Sequence, residues 1–329
     1  MPQREKRSDL VNTIKNKTFF VTGGAGFIGS NMVETLVERG ASVIVYDNLS
    51  SGKYEFLKHL EGNKKFKFIK ADLLDKDRLE AAMREGKPDA VIHMAANPDV
   101  RRGAVETDLD LKQGTFATYN VLESMRKNGV KEILFSSSSV VYGIADKKPT
   151  REDYGPLLPI SLYGSSKLAS EGLITAFANL NGMRYFIYRF ANVVGRNGTH
   201  GVVIDFIKKL RNDPNVLEVL GDGKQRKSYI GVMECVEAML YVYENSKSEK
   251  NLYNIAADDQ ISVKEIAETV RDRISKGAKI KYTGGKEGWP GDVPDAYLDN
   301  SKLKKFGYSP KRGSREVIEM AITEILKAM

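Results

Sequence analysis

Short apolar runs alternate along the first part of the chain with longer segments in which apolar residues recur every three or four positions. The apolar runs predict β-strands at 18–22, 42–46, 66–70, 89–95, 131–136 and 185–190. The periodic segments predict amphipathic helices at 30–39, 76–84, 115–128 and 165–181. Because strands and helices alternate and the strands are apolar throughout, the pattern predicts a parallel sheet covered on both faces by helices.

The regular alternation weakens after about residue 190. Loops that contain glycine become frequent, at 195–201, 221–223 and 284–292. Helical periodicity continues at 202–211, 232–245, 262–275 and 313–328. We therefore predict an N-terminal extension (1–16), a doubly wound α/β domain (17–190) and a smaller mixed α/β lobe (191–329) that closes over a ligand and exchanges some segments with the first domain.

Composition narrows the functional classes. The chain has 329 residues, of which 51 are Lys or Arg and 43 are Asp or Glu, and its formal net charge is +8. The basic residues are spread along the chain rather than gathered in one arm, so we expect no nucleic-acid partner. The single cysteine excludes an internal disulfide, and the three histidines are too scattered to indicate a metal site.

Targeting signals are not evident in the sequence. We find no apolar run of the roughly 18 residues that a membrane-spanning helix needs. Residues 1–17 mix acidic and basic side chains without an apolar centre, which is not the pattern of a secretory signal. We therefore expect a cytoplasmic protein with no membrane partner.

The segment 18–29 joins an apolar strand to three glycines, Gly23, Gly26 and Gly29, at the start of a helix. In this spacing the first glycine permits the turn out of the strand, the second lets a pyrophosphate approach the backbone, and the third lets the helix pack closely on the strand. The second strand ends at Asp47, whose carboxylate would accept from ribose hydroxyls and repel a 2′-phosphate. The sequence thus predicts a Rossmann-type domain that binds NAD rather than NADP.

Candidate catalytic groups lie in two segments. The fifth strand leads into the serines of 136–143, and Tyr163 and Lys167 follow, four positions apart, near the start of a predicted helix. Side chains at this spacing share a helical face, and a lysine ammonium beside a phenol lowers the phenol pKa by favouring the phenolate. We therefore expect Tyr163 to be the general base for an alcohol proton, with Ser138 hydrogen-bonding the alcohol and the phenol.

Three other tyrosines, Tyr54, Tyr243 and Tyr282, have a lysine at the same spacing. The spacing alone is therefore not informative. None of these three follows a predicted strand that ends in serines, whereas Tyr163 does. This context singles out Tyr163 and Lys167 as the catalytic pair.

Further cofactor contacts are expected where the other strands end. Asp72 follows the third strand, where its side chain could reach the adenine or could cap the next helix, and both interpretations stay open. Ala95 and Ala96 follow the fourth strand, where small side chains let a ligand pass over the sheet edge. The expected cofactor-binding residues are Gly23, Gly26, Phe27, Ile28, Gly29, Asp47, Asn48, Ser51, Gly52, Asp72, Leu73, Ala95, Ala96, Tyr163 and Lys167.

Taken together, these motifs resemble the extended short-chain dehydrogenase/reductase family and, within it, the nucleoside-diphosphate-sugar epimerases. The resemblance runs from about residue 17 to residue 305. It is carried by motifs at 22–29, 47–49, 93–96, 136–143, 163–167, 189–192, 221–229 and 290–292.

The resemblance implies a reaction and a set of contacts. It implies 4-epimerisation of a UDP-hexose of the UDP-glucose/UDP-galactose type, through a transient 4-keto sugar and bound NADH, with the NAD held tightly throughout. It also implies a homodimer formed through the helix around 115–128 and the helix that carries Tyr163. The expected substrate-binding residues are Ser138, Asn192, Val203, Arg226, Lys227 and Asp292.

Neighbouring activities can be compared at single positions. Sugar-nucleotide dehydratases of this family usually carry Asp-Glu just before the Val-Tyr-Gly of 141–143, where this chain has Ser139 and Val140. These two side chains cannot transfer the protons that a dehydration needs. The pattern therefore favours epimerisation over dehydration.

The chain also departs from the epimerase pattern. Gly114 stands where an asparagine is usual, so a polar contact near the nicotinamide is missing or supplied elsewhere. Trp289 stands where an arginine is common, which would make diphosphate binding depend more on Arg226. Ala296 replaces a bulky residue of some epimerases and would leave room for an N-acetyl group. A UDP-N-acetylhexosamine or UDP-glucuronate epimerase, or a net reductase or dehydrogenase, remains the alternative.

Overall fold

The computed structural model describes residues 13–328. Its strands are β1 (Thr18–Thr22), β2 (Ser42–Asp47), β3 (Phe66–Lys70), β4 (Ala90–His93), β5 (Glu132–Ser138), β6 (Arg184–Phe190), β7 (Asn192–Val194), β8 (Val216–Val219), β9 (Arg226–Lys227), β10 (Tyr229–Gly231), β11 (Lys250–Ile255), β12 (Ile261–Ser262), β13 (Lys279–Tyr282) and β14 (Asp295–Ala296). Its α-helices are α1 (Phe27–Glu38), α2 (Lys76–Gly86), α3 (Val100–Val105), α4 (Ala117–Lys127), α5 (Leu162–Asn181), α6 (Val202–Asn212), α7 (Val232–Asn245), α8 (Val263–Ile274), α9 (Ser301–Phe306) and α10 (Ser314–Ala328). Two 3-10 segments (Tyr54–Leu60 and Ser139–Tyr142) and one π-helical segment (Leu111–Phe116) also occur.

Seven parallel strands form the central sheet, in the order β11, β6, β5, β4, β1, β2, β3. The chain runs outward from β1 to β3, then returns to β4 on the other side of β1 and continues to β11. This reversal opens a crevice at the carboxyl ends of β1 and β4, the place where open α/β sheets bind ligands. The predicted doubly wound parallel sheet is confirmed.

Successive side chains of each strand enter two different cores. In β1, Phe19 and Val21 pack on the face that α1 and α7 cover, whereas Phe20 packs on the face that α2, α4 and α5 cover. Strands buried on both faces are apolar at every position, which is why the sequence showed them as continuous apolar runs. The rigid sheet fixes the positions of the loops that follow its strands.

The smaller lobe is built around α6, α8 and α10 and the parallel pair β8 and β13. Residues 232–255 come after the predicted boundary at 190 but pack with the central sheet, since α7 contacts α1 and β11 pairs with β6. Residues 232–255 are thus a segment beyond the predicted boundary that belongs to the first domain. An exchange of segments between the two domains is part of the prediction. Most of the predicted extension, residues 1–12, lies outside the described residues.

The sequence analysis missed β11 and placed the start of α1 three residues late, at 30 rather than at Phe27. β11 was missed because Asn251 and Asn254 interrupt its apolar run. Asn254 is fully buried, and its Nδ2 donates to Thr150 O at 2.9 Å and to Asp299 O at 3.0 Å. Its buried amide is satisfied by two backbone carbonyls, so a polar residue is tolerated in a core strand.

Two general features bear on function. No helix within residues 13–328 combines the length and the apolar content of a transmembrane span. In the same part of the chain, no group of three or more His, Cys, Asp or Glu side chains is arranged to hold a metal ion.

Candidate active site

The turn between β1 and α1 forms a glycine cradle. Gly23 has a φ of +67°, and a Cβ there would lie 2.6 Å from Ala95 N. A Cβ on Gly29 would lie 2.1 Å from Gly23 O, so only glycine allows α1 to approach the strand this closely. At Gly26 an added Cβ would meet only Gly23 O, at 3.1 Å, and would otherwise fill open space next to the N-terminus of α1. An anion fits there, facing unpaired helical N–H groups.

A cavity of about 210 Å³ extends from this cradle along the sheet edge. The predicted cofactor residues on its wall are Gly23, Gly26, Phe27, Ile28, Gly29, Asp47, Asn48, Ser51, Gly52, Leu73, Ala95, Ala96, Tyr163 and Lys167. The structure thus brings together every residue of the expected cofactor set except Asp72.

Asp47 is fixed at the end of β2 and is 7% exposed. Its Oδ2 accepts from Ala25 N at 2.9 Å and its Oδ1 accepts from Leu49 N at 2.8 Å. Burial raises the pKa of this carboxyl, and the two backbone hydrogen bonds lower it. Each oxygen keeps a lone pair, so the carboxylate can still accept from a ribose hydroxyl on the cavity side.

Of the two roles left open for Asp72, the structure decides only the capping one. Its carboxylate accepts from Asn48 Nδ2 at 2.8 Å and from Leu74 N at 2.8 Å. The N-cap of α2 is Asp75, which accepts from Arg78 N, so the capping interpretation of Asp72 is wrong. Asp72 lies behind Asn48, which itself lines the cavity.

Tyr163 and Lys167 lie in the first turns of α5, whose N-cap Ser161 accepts from Gly164 N at 3.1 Å. Lys167 is buried, and its Nζ donates to Ser136 O at 2.6 Å and lies 5.7 Å from the centre of the Tyr163 ring. Ser138 is the last residue of β5 and faces the same region. The predicted serine, tyrosine and lysine therefore meet at one point of the sheet edge.

Burial is the largest effect on the pKa values of Tyr163 and Lys167. It raises the pKa of Tyr163 above its ordinary value, the charge of Asp110 raises it further, and the hydrogen bond with Ser138 lowers it. Burial also lowers the pKa of Lys167 to about 8, against the opposing effect of Glu171 and Asp110. In the protein chain alone the phenol pKa is therefore raised rather than lowered, because burial of the phenolate is the largest of these effects.

A buried ion pair between Glu171 and Arg189 lies next to the serine, tyrosine and lysine group. Arg189 donates from Nε to Glu171 Oε1 at 3.0 Å and from Nη2 to Glu171 Oε2 at 2.7 Å. Ser137 donates to Glu171 Oε1 at 2.5 Å, next to Ser138 in the strand. The sequence analysis missed Glu171, although its position four residues after Lys167 places both on one helical face.

A second cavity, of about 420 Å³, opens between the sheet edge and the smaller lobe. The predicted substrate residues on its wall are Ser138, Asn192, Val203, Lys227 and Asp292. Tyr163 and Phe190 belong to the walls of both cavities. A group bound in one cavity would therefore meet a group bound in the other beside Tyr163.

Arg226 is not on the wall of the second cavity. Neighbouring residues of a strand point to opposite sides, so in β9 Lys227 faces the cavity while Arg226 is exposed and donates to Gln260 O at 3.3 Å. Lys227 Nζ lies 2.5 Å from Asp292 Oδ1 and 5.2 Å from the centre of the Trp289 ring. These contacts hold the 288–292 loop against the cavity.

Comparison with known proteins agrees with this geometry. Residues 19–256 match the model of the NAD dependent epimerase/dehydratase family. The chain is 34% identical over 307 residues to a putative UDP-glucose 4-epimerase of Methanocaldococcus jannaschii, covering 92% of this chain and 96% of that protein.

Solved structures show the same likeness. A crystal structure of a UDP-galactose 4-epimerase is 39% identical, with a TM-score of 0.84 over 95% of this chain and 99% of that one. A UDP-N-acetylglucosamine 4-epimerase from Methanobrevibacter ruminantium is 29% identical, with a TM-score of 0.85 over 96% of this chain and 100% of that one. The chain belongs to the NAD-dependent epimerase/dehydratase family, within the extended short-chain dehydrogenases/reductases, and NAD is its cofactor.

Proposed function

We propose that the protein catalyses 4-epimerisation of a UDP-hexose of the UDP-glucose/UDP-galactose type. The observation that carries the proposal is the position of Tyr163 at the junction of a cofactor cavity and a larger cavity, with Ser138 on the wall of the larger one. The similarity to sugar-nucleotide epimerases supports it. The same similarity extends to epimerases of different sugars, so the choice of hexose is our proposal.

Tyr163, Ser138 and Lys167 have separate roles in the proposed proton transfer. In its phenolate form Tyr163 accepts the proton of the sugar C4 hydroxyl, and the resulting phenol returns that proton when the 4-keto sugar is reduced on its other face. Ser138 hydrogen-bonds the same oxygen and keeps it in line with the phenol. Lys167, held by Ser136 O, supplies a positive charge that favours the phenolate as the proton transfers. Bound NAD supplies the reversible hydride acceptor, and we propose that it stays bound through the cycle.

We propose that the second cavity holds the sugar, which turns over there while its nucleotide stays fixed. Lys227 and Asn192 are the polar groups of its wall that we propose for the diphosphate, with Asp292 orienting the Lys227 ammonium. Arg226, which we also proposed for the diphosphate, would have to turn inward from its contact with Gln260. We therefore assign the larger part of phosphate binding to Lys227.

Incubation of the purified protein with a panel of UDP-, GDP- and dTDP-hexoses tests the proposal. We expect interconversion of UDP-glucose and UDP-galactose without added or consumed NADH. Stoichiometric change in NADH absorbance would instead support a net reductase or dehydrogenase. Tyr163→Phe is expected to lose turnover by roughly 100-fold or more while keeping NAD. Tyr282→Phe removes a tyrosine with the same lysine spacing and should keep full activity.

One observation favours a second substrate. Ala296 lies on the wall of the second cavity, and we propose that its small side chain leaves space for an N-acetyl group on the sugar. We therefore expect the protein to accept UDP-N-acetylgalactosamine as well as UDP-galactose, and Ala296→Leu to reduce turnover of the acetylated sugar selectively. No turnover of the acetylated sugar by the unmodified protein would contradict this extension.

A further inference from the structure

The loop 195–201, which joins β7 to α6, forms part of the wall of the cofactor cavity. Of the described residues that line this cavity, Thr199 and His200 are the two that follow residue 190, and the others lie between positions 23 and 190. His200 belongs to the wall of the second cavity as well. The loop is therefore the contribution of the smaller lobe to the space in which the cofactor binds.

Both ends of this loop are glycines in a backbone conformation that other residues rarely adopt. Gly195 has a φ of +141° and Gly201 a φ of +104°. A Cβ on Gly201 would meet nothing within 4 Å, so the backbone conformation rather than crowding favours glycine there. Loops that open and close commonly turn about small residues at their ends. The 195–201 loop thus has residues suited to a hinge at each end.

Direct hydrogen bonds hold the loop to α1, whose N-terminus borders the glycine cradle. Arg196 donates from Nε to Asn31 Oδ1 at 2.6 Å and from Nη2 to the carboxylate of Glu34. Its own carbonyl oxygen accepts from Asn31 Nδ2 at 3.3 Å. The next residue, Asn197, donates from Nδ2 to Ser30 Oγ at 3.1 Å. Two successive loop residues are therefore bonded to three residues of the cofactor-binding helix.

The contacts of Arg196 are better shielded than those of an ordinary surface ion pair. Asn31 is fully buried, and the side chain of Glu34 is 18% exposed. An isolated surface ion pair contributes little to stability, but one guanidinium here bonds to a buried amide and to a shielded carboxylate at the same time. Its removal would take the donor away from a buried amide oxygen, which costs more than the loss of a surface contact.

We propose that Arg196 is a positioning residue that retains the cofactor. By fastening the 195–201 loop to α1, it keeps Thr199 and His200 in the wall of the cofactor cavity and slows the exit of NAD. The inference rests on the proposed function, in which NAD stays bound through the cycle. In this account the loop opens before NAD leaves, so the release rate follows the fraction of time that the loop is open. Loss of the Arg196 bonds raises that fraction.

Exchange of bound NAD for isotope-labelled NAD, in the protein as purified and without any sugar, measures the release rate. Arg196→Met keeps an apolar stem and loses the guanidinium, and we expect release to become roughly tenfold faster or more. Arg39→Met is the matched control, because Arg39 lies at the other end of α1 and pairs with Glu237 and Glu244 of α7. It should lower stability in chemical unfolding and leave the release rate unchanged. Equal release rates in the two variants would overturn the proposal.

Asn197→Gly covers the case in which Arg196→Met does not fold. Asn197 has a φ of +64°, which glycine adopts without strain, so this variant loses the bond to Ser30 and keeps the backbone conformation. We expect NAD release to become roughly twofold faster or more. An unchanged release rate in Asn197→Gly, or an unmodified protein that holds no NAD when purified, overturns the proposal. Absent epimerisation by a protein that retains NAD would overturn the proposed function instead.

Discussion

At the edge of β1, backbone atoms rather than side chains form the surface that faces the cofactor. Gly29 shows why, since an added Cβ would lie 2.1 Å from the carbonyl oxygen of Gly23. Backbone cannot move aside as a flexible side chain can. The glycines of this turn were predictable from their spacing, because a larger residue at Gly23 or Gly29 would collide with backbone atoms. Asp47 was predictable because an acid at the end of β2 is placed to accept from ribose hydroxyls.

Gly29→Ala should therefore disturb the turn, weaken NAD binding and lower stability. Gly172→Ala is the matched control, because Gly172 is also helical and an added Cβ there meets nothing within 4 Å. The control should gain roughly 0.5–1 kcal/mol from the better helix propensity of alanine. Calorimetric NAD titration and chemical unfolding measure both effects, and equal NAD affinity of Gly29→Ala and Gly172→Ala would contradict the steric argument.

Hydrogen bonds between side chains connect β1 and β4 to the catalytic helix α5. His93 at the end of β4 bonds to Thr22 of β1 at 2.6 Å and to Thr118 of α4 at 3.0 Å, and Thr118 in turn bonds to Ser170 of α5 at 3.0 Å. This chain of hydroxyl groups and a neutral imidazole lies under the cofactor cavity. It holds α5, which carries Tyr163, at a fixed distance from the sheet.

The buried imidazole makes stability depend on pH. The pKa of His93 is about 3 in the folded protein, against an ordinary value of 6.5. Between these values the unfolded chain binds a proton that the folded chain does not, so stability should fall as pH falls from about 6.5 towards about 3. The slope contributed by one such group is at most about 1.4 kcal/mol per pH unit.

Urea unfolding across this pH range measures the effect. His93→Asn should flatten the decline, although the variant starts from a lower stability because it loses one of the two bonds. His59→Gln, at a histidine whose side chain is 50% exposed, is the matched control for the loss of a histidine. A decline of the same steepness in His93→Asn would show that other groups cause it.

At the scale of elements, the sequence predicted those strands and helices whose own residues form a recognisable pattern. The six apolar strands of the central sheet and the long helices carry their own periodicity, and Tyr163 and Lys167 were recognised because a strand that ends in serines precedes them. The strands of the smaller lobe have only two to four residues, too few to show a period. Asp110 and the direction of Arg226 depend on packing between segments that are distant in sequence, which no local pattern records.

On the scale of the whole molecule, the helix of the cofactor site is tied to the loop beside the second cavity. Asn31 of α1 donates from Nδ2 to Arg196 O at 3.3 Å, and Arg196 donates from Nε to Asn31 Oδ1 at 2.6 Å. Asn197 donates to Ser30 Oγ at 3.1 Å. Cofactor and substrate cavities are thus linked by direct bonds as well as by their common wall.

We propose that the outer face of α4 and α5 packs against a second copy of the chain. Several large apolar side chains on and beside these helices are exposed, among them Phe116 at 51% and Tyr119 at 39%. Phe116→Glu is expected to convert a dimer into a folded monomer in sedimentation velocity. Met320→Glu, which adds the same charge at a 39% exposed position of α10, should leave the dimer intact. A monomeric unmodified protein would contradict the proposal.

The most direct test of the proposed reaction follows the hydrogen at C4 of the sugar. UDP-galactose labelled with deuterium at C4 is incubated with the protein as purified, without added NAD, and the product is analysed by mass spectrometry and NMR. The account predicts UDP-glucose that retains the deuterium at C4, because the hydride leaves and returns within one bound complex. Loss of the label to solvent, or accumulation of a 4-keto sugar with stoichiometric NADH, would contradict it.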